Sequence, residues 1–430
     1  MWRNKKNFIF ISLLILCILI LVGNNVCKQL IFNEDTNNQA LNFGKSDLSI
    51  ENRLAYIKEN PANFGKGEQE ADNETENGNN IEKNETNQNN NFAIKQNENK
   101  INDNLLYIKA VGDIMLGRGI EYHLIDEGKD YKYPFENVVE FLKTGDIIFG
   151  NLEAPLTDNS NSLDPNGKYV LKNRSEAIEG LKYAGFNILN LANNHIMDYY
   201  YEGLKDTIEI LEESEIQYCG AGENIEKARN PAILDIKGYK IAVLGYTDMA
   251  EYFYKGNPMI KFEAEEQSSG VAPRKLEYIK EDIEKIKENA DIIIISLHWG
   301  IEDSFDVTEE QRQFAYELID NGADIILGHH PHKFQGIEIY KGKPIIYSMG
   351  NFIFDQNDPL KQEAFMVDIV FDIDKLTSLE LIPIRTISKT HVIIPKQQDA
   401  ADMLKRELEL CGKLGSKCAI VGDKIVFNLK

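Results

Sequence analysis

Ile325-Ile326-Leu327-Gly328-His329-His330-Pro331-His332 sets three imidazoles within four residues of one another, directly after a short apolar run. A run of that length and kind reads as a buried strand. Imidazoles leaving the end of a buried strand are costly to hold unless something binds them. Neutral imidazole nitrogens are good ligands for zinc, manganese or iron. The alternation His330-x-His332 predicts an extended segment with both side chains on one side. Taken alone, the stretch would suit a solvated polar loop; matching residue types at other strand ends decide against that.

Working outward, strand-like and helix-like segments alternate from residue 105. Strands are predicted over 105–111, 146–149, 186–191, 239–244, 291–297 and 324–327. Helices are predicted over 134–142, 175–184, 203–213, 274–288 and 309–319. Such repeats imply α/β layers around buried, largely parallel strands. Past His332 the pattern changes to strands without helices between them, over 336–340, 344–348, 364–371 and 379–384. These predict an antiparallel edge or a second sheet, and a terminal helix follows over 399–410.

Nearly every strand in the alternating part ends on a residue that can hold a metal. Asp113 follows the first, Asn151 or Glu153 the second, Asn194-His195 the third, His298 a later one, and His330 and His332 the strand quoted above. In open α/β sheets, sites are built on the rim at the carboxyl ends of the strands. Carboxylate, amide oxygen and imidazole converging there make a mixed nitrogen and oxygen site for one or two divalent ions.

The N-terminal part is of another kind. Arg3, Lys5 and Lys6 precede an apolar run over 8–22, a positive region followed by a hydrophobic one. No Ala-x-Ala cleavage site follows, and neither Cys17 nor Cys27 lies in a lipoprotein context. Residues 1–32 therefore read as an uncleaved single-pass membrane anchor with its basic side in the cytoplasm. Secretion after signal cleavage is the alternative. Either way the rest of the chain is expected outside the cytoplasmic membrane. Residues 33–104 are crowded with Asn, Glu, Gln and Lys and lack apolar periodicity, so they read as a disordered tether. The folded part is expected over 105–430, with its core over 106–357 and further strands and a helix over 358–430.

The formal net charge of −22 divides into +4 on the anchor, −7 on the tether and −19 on the folded part. So acidic a domain excludes nucleic acid as a partner, since that demands a basic footprint. It also opposes tight binding of a bare polyanion unless metal ions or local basic groups intervene. Cys411 and Cys418, with six residues between them in the last stretch of the chain, are expected to pair outside the cytoplasm. His123 and His391 read as surface residues, Trp299 as packing, and Gly117-Arg118-Gly119 lacks the Lys-Ser/Thr ending of a phosphate loop.

Taken together, Gly112-Asp113-Ile114-Met115-Leu116-Gly117-Arg118, Gly150-Asn151-Leu152-Glu153, Asn193-Asn194-His195 with Asp198, His298-Trp299-Gly300, Gly328-His329-His330-Pro331-His332 and Ser348-Met349-Gly350-Asn351-Phe352 resemble the CapA family. That family is a branch of the calcineurin-like metallophosphoesterase superfamily tied to poly-γ-glutamate capsule synthesis or export. The resemblance implies a four-layer α/β/β/α sandwich. It implies that Asp113, Asn194, His298, His330 and His332 bind metal, that His195 acts as general acid or transition-state stabiliser, and that Asp198 orients it. Arg118 would meet an anionic substrate group.

The chain departs from the superfamily pattern at two places. Met115 stands where a His is usual, and Asn151 where an Asp is usual; Glu153 could supply the bridging carboxylate instead. The expected cofactor is one or two ions of manganese, zinc or iron. The expected partners are the membrane, an anionic capsule or cell-envelope polymer and a membrane synthase complex. Two functions stay open: a metal-dependent hydrolase acting on capsule or another envelope substrate, and a non-catalytic factor that binds polymer in the same pocket.

Overall fold

The computed structural model describes residues 105–429, apart from 166, 252–260 and 373–374. The expected anchor and tether lie outside these residues. Among the described residues, no helix is long and apolar enough to cross a membrane.

The first four strands, β1 (Leu105–Ile114), β2 (Ile147–Leu152), β3 (Ile188–Asn190) and β4 (Gln217–Cys219), run parallel side by side. Helices Gly119–Asp126, Ile178–Ala184 and Tyr200–Glu213 fall between them. A short strand β5 (Ala221–Gly222) leads into a second sheet that begins with β6 (Ala232–Ile236) and β7 (Tyr239–Thr247). Strand β8 (Gly270–Val271) pairs back with β5. The second sheet continues with β9 (Ile292–His298), β10 (Ile325–His329), β11 (Phe334–Tyr340) and β12 (Lys343–Met349), in the order β11-β12-β10-β9-β7-β6.

The chain then returns to the first sheet. β13 (Asn351–Ile353) lies parallel to β1, while β14 (Glu363–Asp372) and β15 (Lys375–Ile387) extend it antiparallel. β16 (His391–Ile393), β17 (Cys418–Val421) and β18 (Lys424–Phe427) complete that edge. Of the two expectations for the strands after His332, the antiparallel edge holds: β11 edges the smaller sheet and β14 and β15 extend the larger, and they form no separate sheet.

Side-chain parity sorts the layers. Ile108, Ile147, Phe149 and Ile188 meet Ile241, Val243, Ile292, Ile294, Ile325 and Leu327 in one core between the two sheets. The alternate residues Val111, Ile148 and Leu189 face helix residues Leu124, Leu181, Leu204 and Leu211 on the outside of the larger sheet. Leu244, Ile293, Ile295 and Ile326 likewise face Ile279, Ile283, Ala315 and Leu318 of helices Leu276–Ile286 and Glu309–Asp320. The order is therefore helices, sheet, sheet, helices. The all-apolar runs of β9 and β10 follow from this, since strands covered on both faces need no polar alternation.

Three local expectations differ. The helix predicted over 134–142 is a turn, Tyr133–Phe135, followed by a short helix, Val139–Leu142. The chain also forms a helix at Gly119–Asp126 with no side-chain cap to announce it. Cys411 and Cys418 are free cysteines, correcting the expected disulfide. Cys411 sits in helix Ala401–Lys413 with its thiol against Glu407 Oε1 at 3.1 Å, the Ile337 amide at 3.3 Å and the Cys418 thiol, so the two cysteines are neighbours without being bonded.

Candidate metal centre

The parity that builds the inter-sheet core also aims the site. Asn151 on β2 and Asn190 on β3 continue the inward-facing series, a register shift after Ala110 turns Asp113 on β1 to the same face, and the three pair in register. Asn351 on β13 flanks Asp113 on the other side. In the smaller sheet His298 pairs with His329 in the same way. One rung of each sheet therefore faces the other at the carboxyl ends of the parallel strands. Gly112 makes the first rung close: a Cβ there would stand 1.8 Å from Gly350 O, whereas the bare backbone lets Asp113 N donate to that oxygen at 3.0 Å.

Asn194 Oδ1 lies 2.8 Å from His298 Nε2, and His330 Nδ1 lies 3.1 Å from the same nitrogen. One imidazole N–H can serve only one of these acceptors. Ligand atoms sharing an ion bound at about 2.1 Å sit roughly 3 to 3.5 Å apart, so these three atoms suit a metal better than they suit each other. Asp113 and Glu153 each offer a carboxylate oxygen that lies, with a nitrogen of His298, within 4.8 Å of one another. His332 donates through Nδ1 to Asn351 Oδ1 at 2.8 Å, which leaves Nε2 facing Glu153 Oε1 at 3.7 Å. A second partner that fixes one ring nitrogen and frees the other is usual for a ligating histidine.

The electrostatics follow from burial. Burial, with the neighbouring His330 next, holds His298 far below its ordinary range. Burial and then His332 hold His330 down to about 4. Burial also lowers His332, against the pull of Asp113. Burial pushes Glu153 well above the usual carboxylate range, with the Asp113 charge adding to it. Burial opposes ionisation of Asp113 too, but the imidazoles of His329 and His332 and the Asn151 amide reverse this and hold it low. Neutral imidazoles and one ionised carboxylate are ready for a cation, which would displace the Glu153 proton.

The strand-end segment is not extended as its alternation suggested. His330 has φ 97° and His332 φ 56°. Pro331 bars the helical region to His330, and both histidines are held in conformations that non-glycine residues rarely adopt.

The remaining predicted residues fall as follows. Asn151 turns its oxygen away from the acids, because Asn190 and Asn193 donate to it at 2.9 and 3.2 Å. Its NH₂ instead reaches Asp113 Oδ1 at 2.9 Å and Glu153 Oε2 at 3.3 Å. His195 Nδ1 bonds Asp198 Oδ2 at 2.8 Å, and Asp198 also accepts from Leu171 N at 2.7 Å. Burial raises the Asp198 carboxyl, opposed by His195. Both line a cleft of about 690 Å³ together with Asn194, His330, His332, Arg118 and Lys361. Arg118 has its guanidinium already paired with Asp355, and Lys361 pairs with Asp303.

Sequence reasoning missed Asn190, Asn193, Asn351, Asp355 and His329 as parts of the centre. His329 is buried beside Phe149 with Nδ1 3.2 Å from Asp113 Oδ1. Its position, odd-numbered with Ile325 and Leu327, was the available signal.

Among known proteins, residues 107–356 match the family model described as bacterial capsule synthesis protein PGA_cap. The capsule biosynthesis protein CapA of Bacillus anthracis is 35% identical over 285 residues, 65% of this chain and 67% of that one. The PGA biosynthesis protein CapA of Bacillus subtilis (strain 168) is 34% identical over 307 residues, 71% of this chain and 78% of that one. Among solved structures, a calcineurin-like phosphoesterase of Bacillus subtilis matches with a TM-score of 0.36 and 12% identity, covering 72% of this chain and 99% of that one. The chain belongs to the PGA_cap family of bacterial capsule synthesis proteins.

Proposed function

We propose that this protein serves the synthesis or export of a poly-γ-glutamate-type capsule polymer through a metal-dependent hydrolytic site, with its folded part held outside the cytoplasmic membrane. The observation that carries the reading is the meeting of Asn194 Oδ1, His298 Nε2 and His330 Nδ1 at one buried point beside the cleft. The family and its capsule-named relatives support the biological setting. The basic residues and apolar run at the N-terminus support the location.

Asp113, Glu153, Asn194, His298, His330 and His332 would hold the ion. When bound, it supplies Lewis-acid polarisation of a substrate oxygen. Asp198 fixes the His195 proton on Nδ1, leaving Nε2 to hold or deliver a proton to a leaving group in the cleft. The buried hydrogen bond from Leu171 N keeps Asp198 from rotating. Acids line the cleft alongside its two paired cations, so an anionic chain depends on the ion for attraction.

Turnover is tested by giving the full chain excess manganese or zinc with bis(p-nitrophenyl) phosphate and, separately, poly-γ-glutamate. Cleavage of either that is lost in His195→Ala supports the hydrolase. A second reading, polymer binding without cleavage, is favoured by the Asn151 amide standing among the acids. Metal-dependent retention of poly-γ-glutamate with neither compound cleaved would establish it.

A further inference from the structure

Residues 168–173 border the cleft and are pinned on both sides of Tyr169. Before it, Lys168 O accepts from Arg118 Nη1 at 3.1 Å. After it, Leu171 N donates to Asp198 Oδ2 at 2.7 Å. Asn173 closes the segment: its Oδ1 accepts from Leu116 N at 2.6 Å and its Nδ2 donates to Ala154 O at 3.0 Å. Gly117 lets this backbone sit close, since a Cβ there would stand 1.8 Å from Lys172 O. Two of the anchors, Arg118 and Asp198, are themselves cleft residues, so the segment is built into the site.

Tyr169 nevertheless is 75% exposed, more than any other large apolar or aromatic side chain among the described residues. The other apolar residues of the cleft are withdrawn: Leu171, Phe262 and Phe354 are buried and Met249 is half-buried. A ring held out into water on a fixed backbone forgoes the burial that would stabilise it. It offers a ligand a large, stiff contact at little cost in entropy. The charges of the cleft cannot do the selecting. Arg118 is paired with Asp355 and Lys361 with Asp303, and Asp198 and Glu302 add acids. A bound cation would attract any polycarboxylate alike.

We propose that Tyr169 is the specificity-determining contact of the cleft, its ring stacking on a planar amide of the polymer backbone. An amide has a flat π-face, as a nucleobase has, and stacking on it tells a polyamide from a polycarboxylate of equal charge. The metal centre then supplies attraction and Tyr169 supplies choice. This inference rests on the capsule-polymer reading of the site.

Binding of the full chain, loaded with manganese, is measured against poly-γ-glutamate and against polyacrylate of matched length and charge. The parent is expected to hold the polyamide tighter by roughly 3- to 10-fold, the scale of one aromatic stacking contact. Tyr169→Ala should lose that margin on poly-γ-glutamate, leave polyacrylate binding unchanged and keep its metal. Tyr169→Phe should keep the margin, because the ring and not the hydroxyl makes the contact. A parent without preference, Tyr169→Ala with the margin intact or Tyr169→Phe without it would overturn the proposal and leave the capsule reading standing. So would equal weakening of both polymers, or loss of metal, in Tyr169→Ala, either of which would make Tyr169 a structural residue. Binding of neither polymer by the parent would overturn the capsule reading itself, and the proposal with it.

Discussion

Asn190 donates its side-chain amide to Asn151 Oδ1 at 2.9 Å, and that bond fixes which end of the Asn151 amide faces the acids. An aspartate at 151 would keep the bonds from Asn190 and Asn193 on one oxygen and turn the other toward Asp113 and Glu153. Asn151→Asp is therefore expected to lower metal-free stability by about 1–3 kcal/mol through like-charge crowding. Metal affinity should rise in the same variant. Thermal melts with and without manganese check both signs; a variant less stable in both conditions would show that the amide does more than set charge.

Metal content should separate ligands from the proton-handling pair. His298→Ala and His330→Ala are expected to lose bound metal. His195→Ala should keep it and lose turnover, because His195 is tied to Asp198 rather than to the ligand cluster. Elemental analysis of the three proteins decides, with loss of metal in His195→Ala contradicting the assignment.

Polymer binding should follow the metal. Arg118 is committed to Asp355 and Lys361 to Asp303, so neither cation is free to greet a polyanion. Chelation is expected to cut poly-γ-glutamate binding at least about tenfold, and manganese to restore it. Binding that survives chelation in a sedimentation assay would place the polymer on another surface. Saturating metal at about 100 times its Kd should also add about 2.7 kcal/mol of stability.

A pH effect is expected far from the cleft. Burial pushes the Glu407 carboxyl well above its ordinary 4.5, the Cys411 thiol opposing this, so the folded state keeps a proton that the unfolded state releases. A raised folded value gives stability that is fully present below about pH 4.5 and is lost as pH rises through the folded value. Each unit of separation is worth about 1.4 kcal/mol. Glu407→Gln should therefore melt higher than the parent at pH 8 and gain little at pH 4. An equal gain at both would point to packing instead of protonation.

Much of this centre could be read from the chain because period-two alternation carries inward-facing residues to strand ends. Asn151 and His298 extend the same series as the Ile and Phe residues of the inter-sheet core, whereas Asp113 reaches that face through a register shift after Ala110. Asn190 was not singled out and Asn193 was given no role, because both act through hydrogen bonds to Asn151, and asparagine near a strand end also suits an ordinary turn. The Arg118–Asp355 pair spans 237 positions and leaves no local trace. The shape of the His330–His332 segment was misjudged because alternation assumes extension, which the φ of 97° at His330 breaks. The edge strands β16 to β18 were missed for want of a long apolar run; β17 exposes most of its short length.

The ligands come from opposite rungs, Asp113 on one sheet and His298 on the other, and the apolar core beneath them helps to set their spacing. Metal affinity is thus a gauge of how the two sheets are seated. A slip of a fraction of an ångström caused by a cavity at Phe149 or Ile294, well beneath the centre, would register as a weakened ion before it registered as a lost fold.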